Sequence, residues 1–140
     1  RKLSADLLFK WNGFSLLAEY VNATANGLNG LFIQPDEGAK LKPRQIADYL
    51  ALGNGFNVQA GYLFPKLWAL DLAYSKVKPE WTETETSILR KTDNITFGAS
   101  KYFFNNTFKI QLAGSYTSYK QVVGDASKEF QVKLNLHLLF

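Results

Sequence analysis

The stretch Phe130–Phe140, FQVKLNLHLLF, alternates between apolar and polar side chains and is the clearest fold signal in the sequence. Every even position in it is apolar, and every odd position except Leu139 is polar. Successive side chains of a β-strand point to opposite faces of a sheet, so strict alternation predicts a strand with one apolar and one polar face. What the apolar face contacts then decides the kind of protein.

The amino-acid composition argues against several classes of function. A chain of 140 residues fits one domain, and its start at Arg1, without any methionine, suggests a mature product or a fragment. With no cysteine and His137 as the single histidine, we expect no disulfide, no metal site and no cofactor. The net charge of +4 comes with singly scattered lysines, so we expect no nucleic-acid partner. No apolar run reaches the roughly 18 residues of a transmembrane helix, a limit that does not apply to alternating strands.

Alternation and turn residues divide the chain into seven predicted strands in an antiparallel up-and-down order. These strands span 4–11, 14–21, 55–64, 67–77, 94–104, 107–119 and 130–140. Tight turns are expected at Asn12-Gly13, Pro65-Lys66 and Asn105-Asn106. The longer connections are 22–54, 78–92 and 120–127. The first of them is expected to contain a short helical turn over 45–52. All tight turns then lie at one end of the sheet and all long connections at the other, and the four prolines are placed outside the strands, at Pro35, Pro43, Pro65 and Pro79.

Alternation alone fits two architectures. In a soluble β-sandwich or lipocalin-like barrel the apolar face points into a core, whereas in a transmembrane antiparallel β-barrel it points to lipid. Three features favour lipid: the separation of short turns from long connections, the aromatic residues at both ends of the apolar face, and the very polar opposite face. The third is weaker, because a soluble protein could expose that face to water. A strand of about ten steps at about 3.3 Å, tilted by about 40°, spans the roughly 25 Å apolar band of such a barrel.

The membrane interpretation assigns a set of residues to each face. Two lipid-facing aromatic belts are expected from Trp11, Phe14, Tyr20, Phe56, Tyr62, Trp68, Tyr74, Phe103, Phe108, Tyr116, Phe130 and Phe140. A water-filled pore is expected to be lined by Asp6, Lys10, Glu19, Asn57, Gln59, Asp71, Lys109, Gln111, Gln131, Lys133 and Asn135. The pore-lining set holds three lysines and three carboxylates, a balanced mixture that predicts weak charge discrimination.

The last strand resembles the C-terminal signal by which the barrel-assembly machinery recognises outer-membrane proteins. That signal has a terminal phenylalanine preceded by apolar residues at alternate positions, which are occupied here by Val132, Leu134, Leu136, Leu138 and Phe140. The resemblance implies a bacterial outer-membrane location with a periplasmic C-terminus. It also implies outer-membrane lipids and the assembly machinery as partners.

Three motifs go beyond the general strand pattern: K-x-x-G-F-S-L-x-A-E-Y at Lys10–Tyr20, Q-A-G-Y-x-x-P-K at Gln59–Lys66 and Y-F-x-N at Tyr102–Asn105. They resemble the C-terminal part of the phosphate-selective porins O and P and their relatives. The resemblance implies that residues 1–140 are the C-terminal portion of a single sixteen-stranded outer-membrane β-barrel domain, that 22–54 is a long extracellular loop, and that the protein is a homotrimer. The remaining barrel strands would come from missing sequence or from another chain.

The leading hypothesis is an outer-membrane porin, a water-filled channel for passive diffusion of small hydrophilic solutes or ions, with anions such as phosphate among the candidates. Phosphate selectivity in the family depends on basic residues in the pore, but Arg1, Arg44 and Arg90 fall at the terminus or in loops. The alternative is a barrel subunit that acts as a structural anchor or partner in a larger outer-membrane assembly. We expect no enzyme, because His137 is the only imidazole and fits a wall or rim residue.

Overall fold

The computed structural model describes residues 1–27, 43–81, 87–103, 107–120 and 126–138. Within these ranges the chain forms seven strands and one short helix. They are β1 (Lys2–Trp11), β2 (Phe14–Ala23), α1 (Pro43–Tyr49), β3 (Gly53–Phe64), β4 (Trp68–Pro79), β5 (Thr92–Phe103), β6 (Phe108–Tyr119) and β7 (Ser127–Leu138). Every neighbouring pair is antiparallel, and the strands follow one another in sequence order in a single sheet. The predicted all-β, up-and-down arrangement of seven strands is therefore confirmed.

The sheet is open. Among the described residues, β1 pairs only with β2 and β7 pairs only with β6, so each leaves one edge without a backbone partner. Every residue of both strands is exposed. The described part of the chain thus forms an open sheet, and the larger closed barrel stays a prediction.

The strands extend further toward the long connections than the alternation predicted. β3 begins at Gly53 rather than at position 55, and β4 ends at Pro79, so the prediction that all prolines lie outside strands is wrong at this residue. Pro79 pairs with Gly53, beyond the last pair between β4 and β5 at Val77 and Thr92. The missing N–H therefore removes no bond to β5, which is why proline is tolerated there. Pro35 lies outside the described residues.

Two of the tight turns lie within the described residues. Asn12 and Gly13 have φ values of 44° and 83°, the left-handed conformation that a two-residue hairpin loop of this sequence favours, as predicted. The second turn was predicted to span two residues but spans three, because Phe64 pairs with Trp68 and Leu67 takes a φ of 59°. Proline is fixed near a φ of about −65°, so Pro65 cannot adopt the left-handed first position of a two-residue loop. The turn at Asn105-Asn106 lies outside the described residues.

The C-terminal end of the 22–54 connection packs against the connection between β4 and β5. The helical turn predicted over 45–52 is present as α1, shifted toward the N-terminus. Ile46 and Ala47 are buried, and the backbone N–H of Ile88 donates to the carbonyl oxygen of Ala47 at 3.0 Å. Among the described residues, no helix has the length and apolar composition needed to cross a membrane.

Candidate functional site

The pairing register divides the strand side chains into two faces. One side, called here the polar face, carries the even-numbered residues of β1 and β5 and the odd-numbered residues of the other five strands. All residues of the predicted pore-lining set lie on this polar face. All described members of the predicted aromatic belts lie on the opposite, apolar face, whereas Phe140 is outside the described residues.

The polar face is the concave side of the sheet. It encloses a concavity of about 660 Å³ that is lined from β1 to β6. Six of the predicted residues line it: Lys10, Asn57, Gln59, Asp71, Lys109 and Gln111. The strand residues that are buried are all small and lie on this face: Gly61, Ala69, Gly98 and Ser100. Ser100 is 1 % exposed, and its hydroxyl has no hydrogen-bond partner among the described residues.

The apolar face is exposed along its whole width. Leu72 in the central strand is 54 % exposed and Phe130 at the β7 edge is 71 % exposed. Other large apolar side chains exposed on this face are Leu3, Leu7, Phe9, Trp11, Tyr20, Phe56, Val58, Tyr62, Phe64, Trp68, Leu70, Ile95, Phe97, Leu112, Tyr116, Val132, Leu134, Leu136 and Leu138. The predicted assembly-signal residues up to Leu138 belong to this set, and Phe140 lies outside the described residues.

Aromatic side chains form two bands on the apolar face. At the tight-turn end the rings of Tyr62 and Phe64 are 4.7 Å apart, and those of Phe103 and Phe108 are 5.5 Å apart. At the other end the rings of Phe56 and Tyr74 are 5.5 Å apart. Between the bands the face is mainly aliphatic, with Phe97 as an exception. The two ends predicted from the sequence are therefore both occupied by aromatic residues.

Cross-strand pairing arranges the polar face in rows perpendicular to the strands. One row, called here the acidic row, is Asp6, Glu19, Asn57, Ser75, Asn94, Thr117 and Glu129. A second row, called here the lysine row, is Lys10, Ser15, Gly61, Asp71, Gly98, Ala113 and Lys133. The acidic row lies toward the long connections and the lysine row toward the tight turns. The charges predicted to form a mixed wall are therefore largely separated by sign.

The acidic row is built from oxygen-bearing side chains. The Asn57 amide donates to a Glu19 carboxylate oxygen at 2.8 Å, and the Asn94 amide donates to the Thr117 hydroxyl at 2.6 Å. Asp6 lies directly opposite Glu19 in the register. Glu129 was missed by the sequence analysis because the last strand was predicted to begin at position 130, whereas the alternation continues through it.

The lysine row contains one carboxylate, Asp71, between two glycines. A side-chain carbon added at Gly61 would lie 2.6 Å from a carboxylate oxygen of Asp71, so the glycine leaves the space that this carboxylate occupies. Beyond the row, the Lys109 ammonium lies 5.4 Å from the ring centre of Tyr102, within the range of a cation–π contact. His137 is opposite Lys109 in the register. No three metal-ligating side chains come together in the described ranges.

Connections lie over the polar face at the end away from the tight turns. A second concavity of about 330 Å³ there is lined by polar-face residues of four strands, among them Lys2, Val21, Gly55 and Val77. Ala51 and Leu89, from the two connections that pack together around α1, line it as well. We call this region the mouth of the polar face. The two connections therefore lie beside the polar face at this end.

Comparisons with protein-family models, with curated proteins and with solved structures found no match for this chain. The class of protein is defined by the fold itself: it is all-β, with a seven-stranded antiparallel sheet that has a concave polar face and an exposed apolar face. The resemblance to phosphate-selective porins stays a prediction that rests on the three sequence motifs.

Proposed function

We propose that this chain forms part of the wall of a β-barrel porin in the bacterial outer membrane, which encloses a water-filled channel for passive diffusion of small hydrophilic solutes or ions. One observation carries the proposal: the buried strand residues are small and lie on the concave polar face, whereas most of the exposed large apolar side chains of the strands lie on the other face, with Leu8, Val21 and Leu63 as exceptions. This distribution is the reverse of that expected for a soluble β-protein, whose apolar side chains fill the enclosed side. It matches a barrel with a polar interior and a lipid-facing exterior.

The exposed apolar face supports a lipid environment because of its extent. Soluble monomers rarely expose a contiguous apolar patch larger than about 300–600 Å², and here the patch runs over all seven strands. Lipid acyl chains would cover this surface without the cost of apolar contact with water. The aromatic bands at its two ends suit the interfaces, where rings with polar edges meet the lipid headgroups.

The open edges call for further strands. Five strands lie between β1 and β7, and each is antiparallel to its neighbours, so the two edge strands run in the same direction. An odd number of additional strands is therefore needed to join β7 to β1 with every neighbouring pair antiparallel. The total is then even, as in bacterial single-chain barrels. An open edge in lipid would leave backbone groups without hydrogen bonds. We propose that sequence outside these 140 residues, or another chain, supplies these strands, and that the barrel assembles as a homotrimer.

In the proposed topology the tight turns and the C-terminus are periplasmic, and the 22–54 connection is extracellular. The polar face then lines water, which removes the desolvation cost of its charged side chains. Selectivity follows from pore radius and wall charge, and no chemical step is assigned to His137 or to the wall carboxylates.

The packing around α1 favours a loop that constricts the channel over a loop that docks a partner. We therefore expect that Ile46→Ala increases single-channel conductance, because Ile46 is 4 % exposed and its loss would loosen the contact between the two connections at the mouth. Planar-bilayer recordings measure this effect. Tyr49→Ala is the matched control, since Tyr49 is in the same helix and 67 % exposed. Equal conductance in both variants and the unaltered protein would contradict a constricting role.

The proposed function is tested on the native polypeptide extracted from outer membranes in detergent. Its intact mass is measured first, and the same sample is then reconstituted in a planar bilayer. We expect a mass well above the 15.8 kDa of this chain, together with stepwise conductance. A native mass near 15.8 kDa without conductance would overturn the porin proposal. Stable co-purification with a non-porin subunit, without conductance, would support the anchor alternative.

A further inference from the structure

The charges of the polar face are sorted along the strand direction. The acidic row carries the carboxylates of Asp6, Glu19 and Glu129 and contains no lysine or arginine. In β1 and β7 the lysines of the lysine row, Lys10 and Lys133, follow these carboxylates by four residues toward the tight turns (6 to 10 and 129 to 133). The polar face thus has an acidic zone toward the long connections and a basic zone toward the tight turns.

The two zones are far enough apart to act separately. Four residues of an extended strand span about 13 Å, whereas salt at physiological ionic strength screens charges over about 8 Å. The lysines of one zone therefore do not neutralise the carboxylates of the other.

Other charges on the polar face weaken this separation without reversing it. Lys109 adds a third lysine to the basic zone, which holds Asp71 as its one carboxylate. Lys2 lies on the outer side of the acidic row, four residues from Asp6. Within the acidic row, Asp6 opposes Glu19 in the register, and the neutral Asn57 amide that binds Glu19 does not cancel its charge.

We propose that these two zones form a charge junction in series along the channel, so that ionic current flows more readily in one direction than in the other. The inference rests on the channel function proposed above. Asp6, Glu19 and Glu129 determine the uptake of cations from the side of the long connections. The three lysines of the basic zone determine the uptake of anions from the side of the tight turns.

The direction of easy current follows from which ions each zone attracts. A wall potential of about one kT enriches counter-ions about 2.7-fold, so cations collect at the acidic row and anions at the basic zone. When the side of the long connections is positive, the field drives both ions toward the boundary between the zones, and charge carriers accumulate there. The opposite polarity drives both ions away from the boundary and depletes it. Current is therefore larger with the side of the long connections positive.

The test measures the current at equal positive and negative voltages in planar bilayers, with protein purified at its native length in about 0.15 M potassium chloride. These 140 residues contain no cysteine, so, after serine replaces any cysteine outside them, Asn26→Cys near the long-connection end of β2 reports orientation through a membrane-impermeant bulky thiol reagent added to one side. We expect a current ratio of about two in the predicted direction. Near 1 M salt the screening length falls to about 3 Å, and the ratio should approach one.

The variant Asp6→Asn/Glu19→Gln/Glu129→Gln removes the acidic zone with side chains of equal size, and we expect its ratio to fall to about one and its selectivity to shift toward anions. Asp93→Asn is the matched control, because Asp93 lies on the apolar face beside Lys76 and its loss removes the same type of charge. The control should keep the ratio. Conductance with equal currents, with the opposite direction, or with a ratio that the triple variant leaves unchanged would overturn the charge junction while leaving the channel in place. Absence of conductance in the unaltered protein would overturn the channel itself.

Discussion

Replacement of Leu72 by arginine should lower the free energy of unfolding of the protein in lipid vesicles by about 2–4 kcal/mol. Leu72 lies in the middle of β4 on the apolar face, between Ala60 and Phe97 in the register, and 54 % of its surface is exposed. In the proposed orientation this position is near the middle of the bilayer, where a charged side chain loses its hydration. In water the same change at an exposed site would alter stability by about 0.5 kcal/mol or less.

Ala73→Arg is the control for this prediction. Ala73 is the next residue of the same strand, but its register partners Gln59 and Thr96 place it on the polar face. The arginine there would remain in water, so we expect a change well below that of Leu72→Arg. Urea unfolding in vesicles measures both. Equal effects of the two substitutions, or no effect of Leu72→Arg, would contradict a lipid-facing apolar surface.

The second large effect is expected at the first tight turn, where Gly13→Ala should destabilise the protein by about 1–3 kcal/mol more than Gly27→Ala. Gly13 has a φ of 83°, and a side-chain carbon added to it would lie 2.6 Å from the carbonyl oxygen of Leu63. The carbonyl oxygen of Gly13 also accepts a hydrogen bond from the Leu63 N–H at 2.8 Å. Backbone on both sides of this contact would have to shift to relieve the overlap.

Gly27→Ala is the control that measures the backbone strain of a left-handed alanine without a steric contact. Its φ of 74° is similar, but an added carbon would meet no atom within 4 Å. Gly27→Ala should therefore show only the strain of a left-handed alanine, about 1–2 kcal/mol. Equal destabilisation by the two substitutions in urea unfolding would show that the contact between Gly13 and Leu63 contributes nothing.

The strands and the assignment of side chains to faces could be predicted from the sequence because both depend on local alternation. The last strand shows this most clearly, since its even-numbered residues from Phe130 to Leu138 all lie on the apolar face and its odd-numbered ones on the polar face. The side chains of β3 and β4 were assigned to the correct faces even though the length of the turn between these strands was predicted wrongly. With Pro65-Lys66 as a two-residue loop, Phe64 would oppose Leu67, whereas the actual three-residue turn pairs it with Trp68.

The rows of the polar face could not be predicted in the same way. The opposition of Asp6 and Glu19 follows from the hairpin turn between β1 and β2. The pairing of Glu19 with Asn57 is set across the whole 22–54 connection, whose length does not fix the register. Glu129 escaped prediction because strand ends depend on pairing with a neighbour, here with Thr117 of β6.

Contact of the apolar face with lipid is tested most directly by a spin-label scan along β4. These 140 residues contain no cysteine, so, after serine replaces any cysteine outside them, single cysteines at positions 70 to 74 can each carry a nitroxide label in protein reconstituted in vesicles. Collision rates of each label with oxygen, which concentrates in lipid, and with a water-soluble nickel complex are then compared. We expect high oxygen collision at Leu70, Leu72 and Tyr74 and high nickel collision at Asp71 and Ala73. Nickel collision as high at the even positions as at the odd ones would contradict a membrane-facing apolar surface.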